Sequence, residues 1–295
     1  MDILKVNDLS KNYGYIKALK NVSFSVPQNT VYGILGPNGS GKTTLLGIIT
    51  DVLKQSGGSF QLFEEAPDAS HRKKIGTLLE TPNFYHYLSA VKNLKITAAI
   101  KGRGADDIDR VLDVVDLTKR KDHAFSTYSL GMKQRLAIAA ALLGDPDVLI
   151  FDEPTNGLDP VGIAEIRELI IKLAASGKTI IMASHLLDEV EKVCTHVAIL
   201  KQGTLITHGN VNEILVNDDI VVVASSDNEK LKNILINFPG NTMVLLSDNT
   251  VKVHLPNGTA NLEEINRYCF ERGVVLSQLQ LRKTSLEAKF MELTN

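Results

Sequence analysis

The chain is poor in the features that mark unusual protein classes. Only two cysteines occur in 295 residues, Cys194 and Cys269, and no CxxC or HxxxH spacing accompanies them. That argues against a disulfide scaffold or a zinc site and fits a reducing compartment. Charge of neither sign dominates, since 32 Lys and Arg stand against 34 Asp and Glu for a formal net charge of −2. A nucleic-acid binder working by bulk positive charge and an acidic disordered chain are both disfavoured. No apolar run approaches the roughly 18 residues that a membrane span needs. The longest candidate, Leu136 to Leu143, is short and sits within a helical pattern. The opening Met1-Asp2-Ile3-Leu4-Lys5 has no basic region followed by an apolar stretch, so it does not read as a signal peptide. The expectation is a cytoplasmic chain, with any membrane part supplied by another polypeptide. Internal repeats and low-complexity segments are also missing.

What remains is the composition of an ordinary globular protein, 44% hydrophobic and 22% charged. The length allows about two domains at roughly 150 residues each. Residues 1–216 alternate short apolar runs with helical patterns, the rhythm of an α/β domain. Val31 to Leu35, Ile75 to Leu79, Val148 to Phe151, Thr179 to Ala183 and His196 to Leu200 read as strands. Several are continuously apolar, as strands covered on both faces should be. Over about 84–145 the strand signal gives way to helical spacing, with Ile108, Leu112 and Val115 on one face and Leu136 to Leu143 in another helix. This stretch reads as a helical insertion. Residues 217–295 read as a small α+β domain. Val251 to Leu255 alternates like a half-buried strand, Asn257-Gly258 is a turn, and Leu262, Ile265 and Cys269 mark an amphipathic helix closed by Gly273. Thr284 with Glu287 forms a capping box ahead of Leu286, Phe290 and Leu293.

The chemistry centres on Gly36-Pro37-Asn38-Gly39-Ser40-Gly41-Lys42-Thr43, a match to G-x-x-x-x-G-K-[ST] with a strand before it and a helical run after it. Glycines let backbone N–H groups converge on phosphate oxygens, and the N-terminus of the following helix adds a favourable dipole. Lys42 is expected on the β- and γ-phosphates of a nucleotide and Thr43 on Mg²⁺, with Thr44 next along the same helix. Val148 to Phe151 leads into Asp152-Glu153. Carboxylates at the end of an apolar strand sit at the sheet edge where ligands bind. Asp152 is the expected second metal residue, and Glu153 the group that polarises the attacking water.

Ser129-Leu130-Gly131-Met132-Lys133-Gln134-Arg135, shortly before the acidic strand, narrows the field. With Tyr128 it resembles the Leu-Ser-Gly-Gly-Gln signature of ATP-binding-cassette (ABC) transporter nucleotide-binding subunits. Tyr128 stands for Leu, Leu130 for the first Gly and Met132 for Gln, while Ser129 and Gly131 are retained. The resemblance spans roughly residues 1–215 in the family's motif order. It implies a P-loop ABC cassette with a helical subdomain, ATP hydrolysis, a dimer closed across ATP (a homodimer or a paralogous cassette) and an integral membrane permease as partner. It implies no nucleic acid partner and a peripheral position at the inner face of the membrane. By the same resemblance Tyr13 stacks on adenine, Asp159 in Asn156-Gly157-Leu158-Asp159 acts across the dimer interface, and His185 is the switch histidine at the γ-phosphate. Glu80 stands where the family usually has Gln. It still offers oxygen ligands to Mg²⁺ or water but adds negative charge beside the phosphates. That substitution resembles the bacitracin-resistance and lantibiotic-immunity subgroup, which exports peptide antibiotics. Phe84, Tyr85 and Tyr87 just beyond it form an aromatic cluster that either packs locally or receives an amphipathic helix of the membrane partner.

Two rivals stand beside this reading. One is a soluble ABC ATPase in translation or DNA repair, disfavoured by the single phosphate loop and the lack of a sustained heptad pattern. The other is a non-catalytic ATP-binding regulator, disfavoured because Lys42, Ser129, Glu153 and His185 are all present.

Overall fold

The computed structural model describes residues 1–79, 83–214, 219–247, 249–282, 286 and 290. Two compact units divide the chain, Met1–Val211 and Asn212–Asn295.

The first unit begins with β1 (Asp2–Tyr13), β2 (Ile16–Pro27), β3 (Val31–Leu35), α1 (Lys42–Ile49) and β4 (Gly57–Leu62). It continues through α2 (Ala69–Lys73), β5 (Ile75–Leu78), α3 (Ala90–Lys101), α4 (Ile108–Val114) and α5 (Leu130–Leu142). Then come β6 (Val148–Asp152), α6 (Pro160–Ala175), β7 (Thr179–Ser184), α7 (Leu187–Val193), β8 (His196–Lys201) and β9 (Thr204–Asn210).

Six of these strands form one sheet in the order β5-β6-β7-β3-β8-β9. All its pairs are parallel except β8 with β9. The three central strands β3, β6 and β7 are buried along their whole length, which is why their sequences are unbroken apolar runs. Register then fixes the site. Leu35 pairs with Ser184 and Asp152 with Ala183, so the residues that follow β3, β6 and β7 emerge at one carboxyl edge.

A second, antiparallel sheet of order β2-β1-β4 completes the unit. Leu4, Val6 and Leu9 of β1 and Val22, Phe24 and Val26 of β2 share a core with Leu45, Leu46, Ile48 and Ile49 of α1 and with Ile34 and Ile150 of the large sheet. The strand expectations above do not include this sheet. Its register slips between Val6 and Leu9 and again between Leu9 and Lys11, which interrupts the alternation that reveals a half-buried strand.

Helices α3, α4 and α5 occupy the stretch between β5 and β6. Ile108, Val111 and Leu112 form the buried face of α4, and Val115 is buried just after it. Ser89 caps α3 by accepting from the Lys92 N–H.

A single turn, α8 (Val211–Ile214), follows β9. The second unit then runs β10 (Asp219–Ser225), α9 (Asn228–Leu235), β11 (Met243–Ser247), β12 (Thr250–Leu255), α10 (Leu262–Glu271) and β13 (Leu276–Arg282). Its sheet has the order β11-β12-β10-β13, antiparallel throughout. This is the βαββαβ split arrangement of ferredoxin-like units. Val221, Val223, Val251 and Val253 pack against Leu231, Leu235, Ile265 and Cys269 of the two helices. Gly258 and Gly273 take positive φ of 76° and 72°, ending the strand and the helix as their sequence positions suggest. Of the capping-box stretch, Leu286 is buried, while Thr284, Glu287 and Leu293 lie outside the described residues.

Candidate functional site

The segment from Gly36 to Gly41 links β3 to α1 and wraps a backbone cradle. Gly36 has φ 156°, and a Cβ there would stand 2.3 Å from the Leu200 carbonyl oxygen and 2.4 Å from Ser40 Oγ. Gly41, at φ 106°, would place a Cβ 2.6 Å from the Ala18 oxygen. Neither position tolerates a side chain. Gly39, at φ 80°, faces open space. Gly41 is also the N-cap of α1 and brings no capping side chain, so the first amides of the helix keep their donor capacity toward the cleft. Ser40 is buried, and its hydroxyl has no hydrogen-bond partner among the described residues.

Lys42 is 6% exposed and reaches across this loop. Its Nζ donates to the Gly36 carbonyl at 2.8 Å and lies 3.5 Å from Glu153 Oε1. The other Glu153 oxygen, Oε2, is 2.8 Å from His185 Nδ1. Lys42, Glu153 and His185, which follow β3, β6 and β7 respectively, therefore form one connected line of charge and hydrogen bonding. Glu153 adopts φ 49°, an uncommon left-handed backbone for a non-glycine residue. Its amide donates to the Ala183 oxygen at 3.0 Å, and its carbonyl accepts from the Asn156 amide at 3.1 Å, which holds the turn in place. Such strain costs about 1–3 kcal/mol and is concentrated at functional turns. Asp152, 4% exposed, sits one residue earlier at the end of β6.

The loop opens on a cleft of ≈ 500 Å³. Asn38, Gly39, Gly41, Lys42, Thr43, Thr44 and Glu153 line it, together with Lys17, Lys20 and Gln202. The last three are absent from the expected site. Lys17 and Lys20 stand on β2, whose strand pattern is hidden, and Gln202 occupies the β8–β9 turn at φ 50°. The lysines add positive charge opposite the loop, which suits a polyanion. Thr43 and Asp152 supply hydroxyl and carboxylate oxygens, hard donors of the kind Mg²⁺ takes alongside substrate phosphates. Among the described residues no cluster of three His, Cys, Asp or Glu could hold a metal by itself.

The remaining expected residues lie elsewhere. Tyr13 is 46% exposed at the end of β1, with Lys11 Nζ 5.0 Å over its ring. It pairs with Ile16, which does line the cleft. Ser129 caps α5 by accepting from the Met132 amide at 3.3 Å, and nothing crowds Gly131 in the first turn. Asp159 caps α6 by accepting from the Gly162 amide at 3.0 Å. Neither of these two caps, nor Gly131, lines the cleft of its own chain. Phe84 packs edge-on against Phe125 at 5.2 Å, whereas Tyr85 and Tyr87 are 52% and 76% exposed. Glu80 lies outside the described residues.

The family model described as ABC transporter matches residues 19–156. The chain is 34% identical to the bacitracin transport ATP-binding protein BcrA of Enterococcus faecalis, over 99% of this chain and 96% of that one. It is 40% identical to the lantibiotic transport ATP-binding protein SrtF of Streptococcus pyogenes, over 69% of this chain and 89% of that one. A solved ATP-binding cassette, dimeric and in a post-hydrolysis state bound to ADP and Pi, superposes with a TM-score of 0.63. That match is 27% identical and covers 70% of this chain and 98% of the cassette. The expected α/β cassette fold is thus the fold of solved relatives.

Proposed function

The chain belongs to the ABC transporter family, as an ATP-hydrolysing, ATP-binding subunit, and we propose that it powers export of a peptide antibiotic or similar amphiphile through a separate membrane permease. The observation that carries the nucleotide chemistry is the line Lys42–Glu153–His185, at 3.5 and 2.8 Å, that starts at the glycine loop. The export reading is supported by the likeness to proteins named for bacitracin and lantibiotic transport.

In this reading Lys42 and the amides from Gly39 to Thr44 bind the β- and γ-phosphates. Thr43 and Asp152 would hold Mg²⁺, which when bound would neutralise charge on the phosphate oxygens. Glu153 takes the proton of the attacking water, and its carboxylate is oriented by His185 on one side and Lys42 on the other. His185 also keeps Nε2 free to donate to the terminal phosphate when the ring is protonated. Tyr13 covers the adenine. Glu80 is read as contributing oxygen ligands to Mg²⁺ or the water.

Ser129, Gly131 and Asp159 complete the site of a second cassette in a head-to-tail dimer. Supporting this, two exposed helix N-termini carry these residues outside the cleft of their own chain. ATP then favours the closed pair because its charge is shared by two donor-rich surfaces, and hydrolysis releases the pair. Among the described residues no helix is long and apolar enough to cross a membrane. In this reading the permease is a separate partner, met by the exposed Tyr85 and Tyr87, and the subunit sits at the inner membrane face through it.

Co-expression with its membrane permease in a sensitive host tests the proposal. Tolerance of bacitracin-like or lantibiotic peptides is expected to rise, and Lys42→Ala to abolish the rise. Unchanged tolerance with both intact subunits present overturns the substrate assignment.

A further inference from the structure

The N-termini of α5 and α6, which carry Ser129 and Asp159, lie side by side. A Cβ on Gly157 would stand 3.3 Å from Leu130 Cδ2, so the loop before α6 rests on the first turn of α5. Farther along, one arginine spans the gap between them. Arg135 follows Ser129 by six residues, and Glu165 follows Asp159 by six. The Arg135 side chain is 18% exposed and lines a cavity of ≈ 150 Å³ between α4, α5 and α6. Its Nη2 is 3.7 Å from Glu165 Oε2 and its Nη1 is 3.6 Å from Asp116 Oδ2. Its Nε is buried and has no hydrogen-bond partner among the described residues.

Both ionic distances exceed hydrogen-bond length, so the guanidinium is attached firmly to neither carboxylate. A shift of about 1 Å in α5 relative to α6 brings the fork into a direct, charge-assisted bond. The two carboxylates are not equivalent. Asp116 is 93% exposed and screened by water, whereas Glu165 is 49% exposed. Glu165 is the partner able to gain from closure.

We propose that Arg135 is a positioning residue that closes onto Glu165 in the ATP-bound dimer and locks the α5 and α6 N-termini together, so that Ser129 and Asp159 meet the partner cassette as one surface. This rests on the head-to-tail dimer reading given above. Because a half-exposed ion pair adds little to stability, the effect belongs to dimer geometry rather than to folding.

The test uses the full chain in a Glu153→Gln background, with dimerisation in Mg²⁺-ATP followed by sedimentation and ATP binding followed by a fluorescent analogue. Arg135→Gln and Glu165→Gln are each expected to weaken the ATP-driven dimer roughly tenfold, with nucleotide affinity and melting temperature unchanged. The swap Arg135→Glu with Glu165→Arg is expected to restore it. If Arg135→Gln folds poorly, Glu165→Gln at its half-exposed site carries the result. Parental dimerisation with both single variants, loss of ATP binding in parallel with dimerisation, or a swap that fails to rescue overturns the positioning role. A Glu153→Gln parent that stays monomeric in ATP overturns the dimer reading itself, and the positioning role with it.

Discussion

His185 Nδ1 stands 2.8 Å from Glu153 Oε2, joining two residues that follow neighbouring parallel strands. Without the imidazole, the Glu153 carboxylate keeps, among the described residues, Lys42 at 3.5 Å from its other oxygen. Replacing His185 by Ala should therefore lower kcat by about a hundredfold, within the range of a lost acid–base element. ATP binding should stay as it was. Steady-state ATPase with a nucleotide titration checks both, and a kcat within twofold of the parent removes His185 from the proposed machinery.

The cradle makes an uneven prediction for two glycines of the same loop. At Gly36 a methyl group meets the Leu200 backbone at 2.3 Å, so Gly36→Ala should lose nucleotide binding and much of its thermal stability. At Gly39 a methyl meets nothing within 4 Å, and only the φ of 80° is penalised. Gly39→Ala should fold and melt within a few degrees of the parent, at a cost of roughly 1 kcal/mol. Melting curves with fluorescent-nucleotide binding distinguish them. Equal damage at both positions contradicts the cradle geometry.

Much of this site is legible in the sequence because its parts are local. The phosphate loop is one contiguous string, and β3, β6 and β7 are continuous apolar runs because both faces are covered. What is not legible depends on pairing between distant segments. The Glu153–His185 contact spans 32 residues and exists only through the register of β6 with β7. Lys17 and Lys20 escape notice because bulges break the period of the β1–β2 pair that presents them. Likewise, helical spacing announces α5, while its tie to α6 through Arg135 belongs to packing.

Tyr13 is half-exposed, with a lysine above its ring, and makes little contribution to the core. If it stacks on adenine, Tyr13→Ala should weaken ATP binding by about fivefold, the worth of one aromatic contact. The melting temperature of the nucleotide-free chain should not move. Unchanged ATP affinity counts against the stacking role.

Lys101 supplies a pH signature independent of nucleotide. Its ammonium donates to the Ala140 carbonyl at 2.7 Å and the Ala141 carbonyl at 3.2 Å, at the end of α5. Burial first, and the neighbouring Arg103 charge second, push its pKa from 10.5 down to about 8. Below about 8 the group is protonated whether folded or unfolded, so its contribution is flat. Between about 8 and 10.5 the unfolded chain holds a proton that the folded chain has released, so stability from this group rises with pH. Relative to Lys101→Met, the parent should gain up to about 1 kcal/mol per pH unit in that window. A flat or falling difference between the two unfolding curves contradicts the burial of this charge.

The central claim, that ATP closes two cassettes and Glu153 drives their release, is tested most directly by the mass of Glu153→Gln in solution. With Mg²⁺-ATP the variant should sediment as a dimer, hydrolyse at least about a hundredfold more slowly than the parent and return to monomer in ADP. A variant that remains monomeric in ATP, or that turns over ATP at the parental rate, contradicts the account.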